Sequence, residues 1–199
     1  MEKAQLGRPR SFDAEAALEK AMVVFWEQGY EGSSLAGLTE AMGISRKSMY
    51  AAFGNKEQLF RKALRRYTEG PGAYVIQALQ APTAREVATA FLAGGIRANT
   101  RPGYPAGCLG VQGALAVGET GQAARDTLAE WRAQGQVYLR ERFQRAVEEG
   151  DLPAGADPEL IARYVMTIAN GMAVQAAGGA ACEDLQRVAD AALRNWPPT

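Results

Sequence analysis

Between Gly43 and Arg66 the chain carries Arg46, Lys47, Lys56, Arg61, Lys62, Arg65 and Arg66 against the single acid Glu57, a local balance of +6. Cations at this density, interleaved with the hydroxyls of Ser45, Ser48 and Tyr50, can neutralise a polyanion and hydrogen-bond to its phosphates or base edges. The chain as a whole is neutral, with 22 basic and 22 acidic residues. That average hides segregation: all five lysines lie at or before Lys62, and an acidic excess beyond about residue 70 cancels the basic segment. The same charges also suit an ordinary solvated helix face, with Tyr50 as half-buried packing, so charge alone leaves two readings open.

Chemistry of other kinds has little to work with. The chain of 199 residues contains no histidine, which removes Ser-His-Asp and Cys-His arrangements and the commonest transition-metal ligand. Its two cysteines, Cys108 and Cys182, are far apart and in no CxxC spacing, so neither a disulfide framework nor a zinc site is indicated. Gly107, Gly110, Gly113 and Gly118 invite a nucleotide-binding reading, but no strand precedes them and no Lys-Ser/Thr follows; they fit close helix packing instead. No enzyme activity, cofactor or metal is expected. The longest apolar runs are too short to span a bilayer and the first ten residues lack an apolar signal core, so a cytoplasmic location with no membrane partner is expected.

The elements that must position the basic segment follow from periodicity. Apolar residues recur at helical spacing almost throughout, which predicts an all-α fold. Leu18, Ala21, Met22 and Phe25 form the stripe of a first helix opened near Asp13 and closed by Gly29. A short second helix starts at Ser34 and stops at Gly43; a third starts at Ser45 and ends around Phe53; Asn55 caps a fourth. At roughly 100° per residue, Arg46, Lys47, Tyr50 and Ala51 share one arc of the third helix while Met49, Ala52 and Phe53 fall on the other. Two short helices joined by a glycine turn have the layout of a helix-turn-helix, whose second helix enters the major groove. Glycines and proline near residues 70–72 predict a boundary, giving domains 1–70 and 71–199. Beyond it the spacing predicts a helix after Pro82, a short small-residue helix at "CLGVQGALAV", a long amphipathic helix over about 120–149, another opened by Asp157-Pro158, and a last one near 183–196.

The stretch "FWEQGYEGSSLAGLTEAMGISRKSMYAAFGNKEQLF" resembles the DNA-binding region of the TetR/AcrR family of bacterial transcriptional regulators. Agreement falls on Phe25, Gly29, Tyr30, Ser33, Ser34, Leu38, Gly43, Ile44, Ser45, Tyr50, Phe53, Lys56 and Glu57, at the family's spacing. The resemblance implies an N-terminal three-helix DNA-binding head, joined through helix 4 to a C-terminal helical ligand-binding and dimerisation body. It implies that Ser33, Ser34, Tyr50 and Lys56 reach phosphates, that Arg46, Lys47 and Ser48 face bases or backbone, and that Ser45 stands with them as the cap. Lys47 departs from the small residue many members carry there. The preceding "GRPR" resembles arms that enter an adjacent minor groove, with Arg8 and Arg10 flanking a proline; a plain tail is the equal alternative.

In the body the resemblance implies a terminal helix pair that packs against its two-fold mate. The small and apolar residues Ala169, Gly171, Ala173, Val174, Leu185, Val188, Ala192 and Leu193 fall on that pair. Such a homodimer suits a pseudo-palindromic double-stranded DNA operator. A ligand pocket is expected among the fifth to eighth helices, lined by Phe91, Tyr104, Cys108, Gln112, Trp131, Tyr138 and Met166 and taking a small, mostly apolar or aromatic effector. Cys108, near a helix start, has two readings: a thiol activated by the helix dipole to sense oxidants or electrophiles, or an inert core residue. The leading expectation is a ligand-responsive repressor, with an activator of the same architecture, a helical enzyme and a DNA-independent interaction module as the alternatives.

Overall fold

The computed structural model describes residues 12–115 and 118–198. Arg8 and Arg10 of the proposed arm lie outside the described residues. Within them the regular structure is all-helical, as the periodicity predicts: ten α-helices and two short 3₁₀ turns, with no strand.

The head is built from local signals. Helix α1 spans Ala14–Gly32, opened by the Asp13 carboxylate, which accepts from the Glu15 and Ala16 amides. Its axis breaks at Gly29, whose φ of 68° ends the first helical run; one further turn follows rather than the stop the sequence suggests. Helix α2, Leu35–Met42, is capped by Ser34 and ended by Gly43 in the left-handed region at φ 69°. Ser45 then caps α3, Arg46–Phe53, and Asn55 with Gln58 forms a reciprocal capping box on α4, Lys56–Glu69.

These helices close over an aromatic core. Phe25 and Phe60 meet edge to face at 5.0 Å, and Trp26 and Tyr67 at 4.8 Å. Each pair contributes about 0.5–1.5 kcal/mol beyond burial of its area. Both pairs bridge α1 and α4, so α4 is fixed to the first helix along its length.

The body continues through a 3₁₀ turn at Pro71–Ala73 into α5, Tyr74–Ala78, a short helix the sequence did not announce. Then come α6 (Ala84–Asn99), α7 (Leu109–Gln112), α8 (Gln122–Glu148), α9 (Pro158–Ala177) and α10 (Cys182–Arg194). Helix α7 is one turn long, shorter than the ten-residue stretch predicted to be helical. Helices α6, α8 and α9 pack on one another, with α5 and α10 against α6, around Phe91, Ile96, Leu139, Phe143 and Val165.

Head and body share a core at one place. Cys108, Leu109, Val111 and Ala114 of the α7 region, with Ala124 and Leu128 of α8, belong to the same buried cluster as Phe25, Trp26 and Phe60. The α7 segment is therefore packed as part of the head while being covalently part of the body.

Candidate nucleic-acid interface and body cavity

The turn between α2 and α3 is specified atom by atom. Gly43 adopts a backbone conformation that favours glycine, its N–H and that of Ile44 return to the end of α2, and the Ser45 hydroxyl accepts from the Ser48 amide at 3.1 Å. Helix α3 then buries Met49 and Phe53 and holds out Arg46, Lys47 and Tyr50, the last 48% exposed. Ser34 and Ser45 are exposed and Ser48 half-buried beside them, so the structure brings these predicted residues onto one face of the head. Ala52 does not turn inward as the helical arc suggests. It is exposed, and its carbonyl accepts from Lys62 Nζ at 3.0 Å.

Ser33 does not join that face, contrary to the sequence expectation. Its side chain is wholly buried, and its hydroxyl donates to the Gly29 carbonyl, so the group steadies the break in α1 instead of facing outward. Lys56 is half-buried with its ammonium 4.4 Å from the centre of the Tyr30 ring. Burial lowers its pKa, with Glu31 opposing.

The basic segment is also less free than its count implies. Arg61 pairs with Glu57, and Arg66 is held by Glu15 at 2.6 Å and by Glu19. Lys62 bridges to α3. These side chains brace α4, while Arg46 and Lys47 on α3 make no ion pair among the described residues.

A cavity of about 170 Å³ opens in the body, walled by the end of α4, the 3₁₀ turn and α5 to α9. Phe91, Cys108, Trp131, Tyr138 and Met166 of the predicted set are on its wall. Tyr104 and Gln112 are not. The Tyr104 hydroxyl donates to Glu19 at 2.7 Å, placing it at the junction of α1, α4 and the loop before α7. Gln112 bends back, its amide donating to the Ala106 carbonyl at 3.2 Å. Tyr74, Asn99, Arg132 and Asn170 also line the cavity and were missed: Tyr74 sits on the unforeseen α5, and nothing in sequence spacing marks the others.

Cys108 is a buried thiol, and the Tyr67 hydroxyl donates to its sulfur at 3.1 Å. Burial pushes its pKa up, outweighing the hydrogen bonds from Tyr67 and the Val111 and Gly110 amides. Of the two readings of Cys108, its burial agrees with the core residue: the one-turn α7 behind it supplies too little to offset desolvation. The glycines around it do serve packing, since a Cβ at Gly110 would strike the Trp131 ring and one at Gly113 would crowd the Leu109 carbonyl.

Hydrogen bonds tie the cavity wall to the head. On α7's flanks the Gly107 carbonyl accepts from Trp26 Nε1 at 3.1 Å and the Gly113 carbonyl from the Tyr30 amide at 2.7 Å. On α4, Thr68 accepts from Trp131 Nε1 at 2.8 Å, both residues being on the cavity wall. Head helices α1 and α4 are therefore each bonded to the segments that enclose the cavity.

An all-helical chain that presents a cationic, hydroxyl-bearing helix from a capped helix-turn-helix has the architecture of helix-turn-helix DNA-binding proteins. Residues 17–63 match the domain described as "Bacterial regulatory proteins, tetR family", and residues 85–192 match "Tetracyclin repressor-like, C-terminal domain". The chain belongs to the TetR family. It is similar to the HTH-type transcriptional repressor ComR of Escherichia coli, 34% identical over 98% of this chain and 94% of the relative. It is 33% identical to the HTH-type transcriptional regulator YezE of Bacillus subtilis over 80% of this chain and 84% of that one. Among solved structures it is similar to a cysteine mutant of the TetR family transcriptional regulator CifR complexed with 26 bp double-strand operator DNA. That likeness has 44% identity and a TM-score of 0.91, over 96% of this chain and 100% of the other. These relatives are transcriptional regulators and not enzymes, and the CifR mutant is bound to double-strand operator DNA. Among the described residues no helix is long and apolar enough to cross a membrane.

Proposed function

We propose that the chain is a homodimeric repressor, released from a pseudo-palindromic operator by a small, mostly apolar or aromatic effector. The observation that carries this is the outward face of α3, with Arg46, Lys47 and Tyr50 exposed beside the cap serines. In this reading Arg46, Lys47 and Ser48 face bases or backbone in the major groove, while Ser34, Ser45, Tyr50 and Lys56 hold phosphates on either side. Repression is supported by ComR, which carries the name of a repressor.

Two copies are supported by the last two helices. Val174 on α9 and Val188 on α10 are 52% and 50% exposed, and a Cβ at Gly171 would meet nothing within 4 Å. Ala169, Ala173, Leu185, Ala192 and Leu193, assigned to the dimer from sequence, are buried within the chain's own core. A two-fold pair can set its heads about one DNA turn, roughly 34–36 Å, apart.

The effector acts as a ligand with different affinities for two head spacings. Occupancy of the cavity presses on Trp131 and the α7 segment, whose hydrogen bonds to Thr68, Trp26 and Tyr30 carry the shift into α4 and α1. Burial of Cys108, with its sulfur accepting from the Tyr67 hydroxyl, supports an apolar wall over a redox sensor.

Fluorescence anisotropy of the full chain with DNA from its own upstream region tests the proposal. Two chains should bind per site, and affinity should fall steeply with salt because several phosphates are neutralised per head. Tyr50→Phe should weaken binding by about 1 kcal/mol, one lost hydrogen bond. A monomer indifferent to every duplex at low ionic strength would refute the proposal.

A further inference from the structure

The cavity wall carries a cation that no carboxylate answers. Arg132 on α8 is the charged residue among the described residues that line the cavity, and no Asp or Glu stands with it. It makes no ion pair among the described residues. Its Nη1 donates to the Gly110 carbonyl at 2.7 Å, which leaves Nε and Nη2 without a partner there. The residue is half-buried, yet neither of those atoms is sealed by packing. Asn99 Oδ1 on the same wall also lacks a partner but is closed off, so no ligand in the cavity meets it. A cation drawn partly out of water without a counter-charge is unfavourable, and burial accordingly lowers the Arg132 pKa. An anion in the cavity offsets that cost.

A second donor stands near the same segment. Tyr74 on α5 lines the cavity, and its hydroxyl makes no hydrogen bond among the described residues and is not sealed by packing. Helix α6 fixes the ring: Phe91 meets it edge to face at 5.7 Å, and a Cβ at Gly94 would strike it. Burial pushes the phenol pKa up, so the O–H keeps its proton and donates. Arg132 and Tyr74 both lie within electrostatic reach of the Cys108 sulfur, itself on the cavity wall, and the Gly110 carbonyl that holds Arg132 belongs to the same short segment. Elsewhere Phe91, Val111, Trp131, Met166 and Ala169 make the wall apolar. Size is bounded as well. A buried apolar cavity of roughly 150 Å³ holds benzene, so about 170 Å³ holds one ring with a small substituent.

Resting on the assignment of this cavity to the effector, we propose that the effector is a compact single-ring carboxylic acid, bound as its carboxylate by the free N–H groups of Arg132 with the Tyr74 hydroxyl as a further donor. A carboxylate only accepts hydrogen bonds, and these two side chains offer only donors that are unspent. One guanidinium balances one negative charge, so a phosphate dianion would bring charge in excess, and an ammonium group would find no acid on the wall. The carboxylate would also draw on α8 through Arg132, on α7 through the Gly110 carbonyl and on α5 through Tyr74, the segments that join the cavity to the head.

Calorimetric titration of the full chain with benzoate, its neutral isostere benzamide, toluene and benzylamine tests this. Benzoate should bind about tenfold or more tightly than benzamide or toluene, the effect of hydrogen bonds to a charged group, and benzylamine should bind weakest. Arg132→Met should bring benzoate down to benzamide's affinity and leave toluene unchanged. Tyr74→Phe should weaken benzoate about fivefold, one hydrogen bond, and again spare toluene. Equal affinity for benzoate and benzamide, or a benzoate preference that survives Arg132→Met, would overturn the carboxylate assignment while leaving the cavity as an effector site. Failure of all four to bind would overturn the cavity assignment itself. Operator release is read separately by fluorescence anisotropy: benzoate should weaken DNA binding, and benzoate held by Arg132 without any change in DNA affinity would overturn its standing as effector. The parent series decides the matter even if a variant does not fold.

Discussion

The two cysteines experience opposite surroundings. Cys108 is enclosed between α7 and Tyr67, and its thiol is pushed up by burial; Cys182, at the first position of α10, is exposed. Thiolate is the reactive form, so burial, which opposes ionisation, opposes reaction at Cys108. Ellman's reagent on the native chain should titrate one thiol rapidly and the second only on unfolding. In Cys182→Ser the rapid phase should disappear; a rapid phase that persists would show Cys108 to be a reactive sensor after all. Residue-scale properties of this sort were only partly legible. Ser34, Ser45 and Asn55 read correctly as caps because capping involves amides two or three positions ahead. Ser33, one position before Ser34, is buried because the break in α1 turns its hydroxyl toward the Gly29 carbonyl, which no local pattern reports.

At the scale of elements, the break at Gly29 joins the head to the body. Its φ of 68° with ψ of 175° is a conformation that side chains strongly resist, and a Cβ there would approach the Gly113 carbonyl to 3.3 Å. The same carbonyl accepts the Tyr30 amide. Gly29→Ala should therefore cost about 1–3 kcal/mol in urea unfolding. It should also disturb operator release more than operator binding, because α2 and α3 keep their own caps. An alanine variant as stable as the parent would show the break to be unstrained. Helices α1 to α4 were legible because each carries its own start and stop signals, and α6, α8, α9 and α10 because their apolar stripes are long. Helices α5 and α7, of five and four residues, are too short to be stable alone, so packing holds them helical, α5 against α6 and α7 against α1, α4, α8 and α9.

For the whole molecule, the junction of head and body also has an electrostatic component. Glu19 on α1 receives Arg66 from α4 and the Tyr104 hydroxyl from the body loop. Burial raises its carboxyl pKa, but those hydrogen bonds and the charges of Arg66 and Arg101 prevail and leave it below the usual value of 4.5. A carboxyl lowered in the folded state stabilises it fully above the unfolded pKa, and that contribution is lost as pH falls through the folded value. Melting temperature should accordingly drop as pH falls below the ordinary carboxylate value of 4.5, and Glu19→Gln should flatten that drop while lowering stability at neutral pH. An unchanged acid profile in the variant would remove this cluster from the account.

The amino-acid sequence by itself determined that the chain is helical, that α2, Gly43 and α3 form a helix-turn-helix, and that cations concentrate beside it, because these depend on neighbours within a few residues. Only the tertiary structure decided which of those cations are spent within the head, that Tyr104 and Gln112 stand off the cavity, and that Asn99 stands on it unsatisfied. Those outcomes rest on contacts between residues tens of positions apart, such as Arg66 with Glu15 and Trp131 with Thr68, and such distances are set by how whole helices pack rather than by the spacing along any one of them.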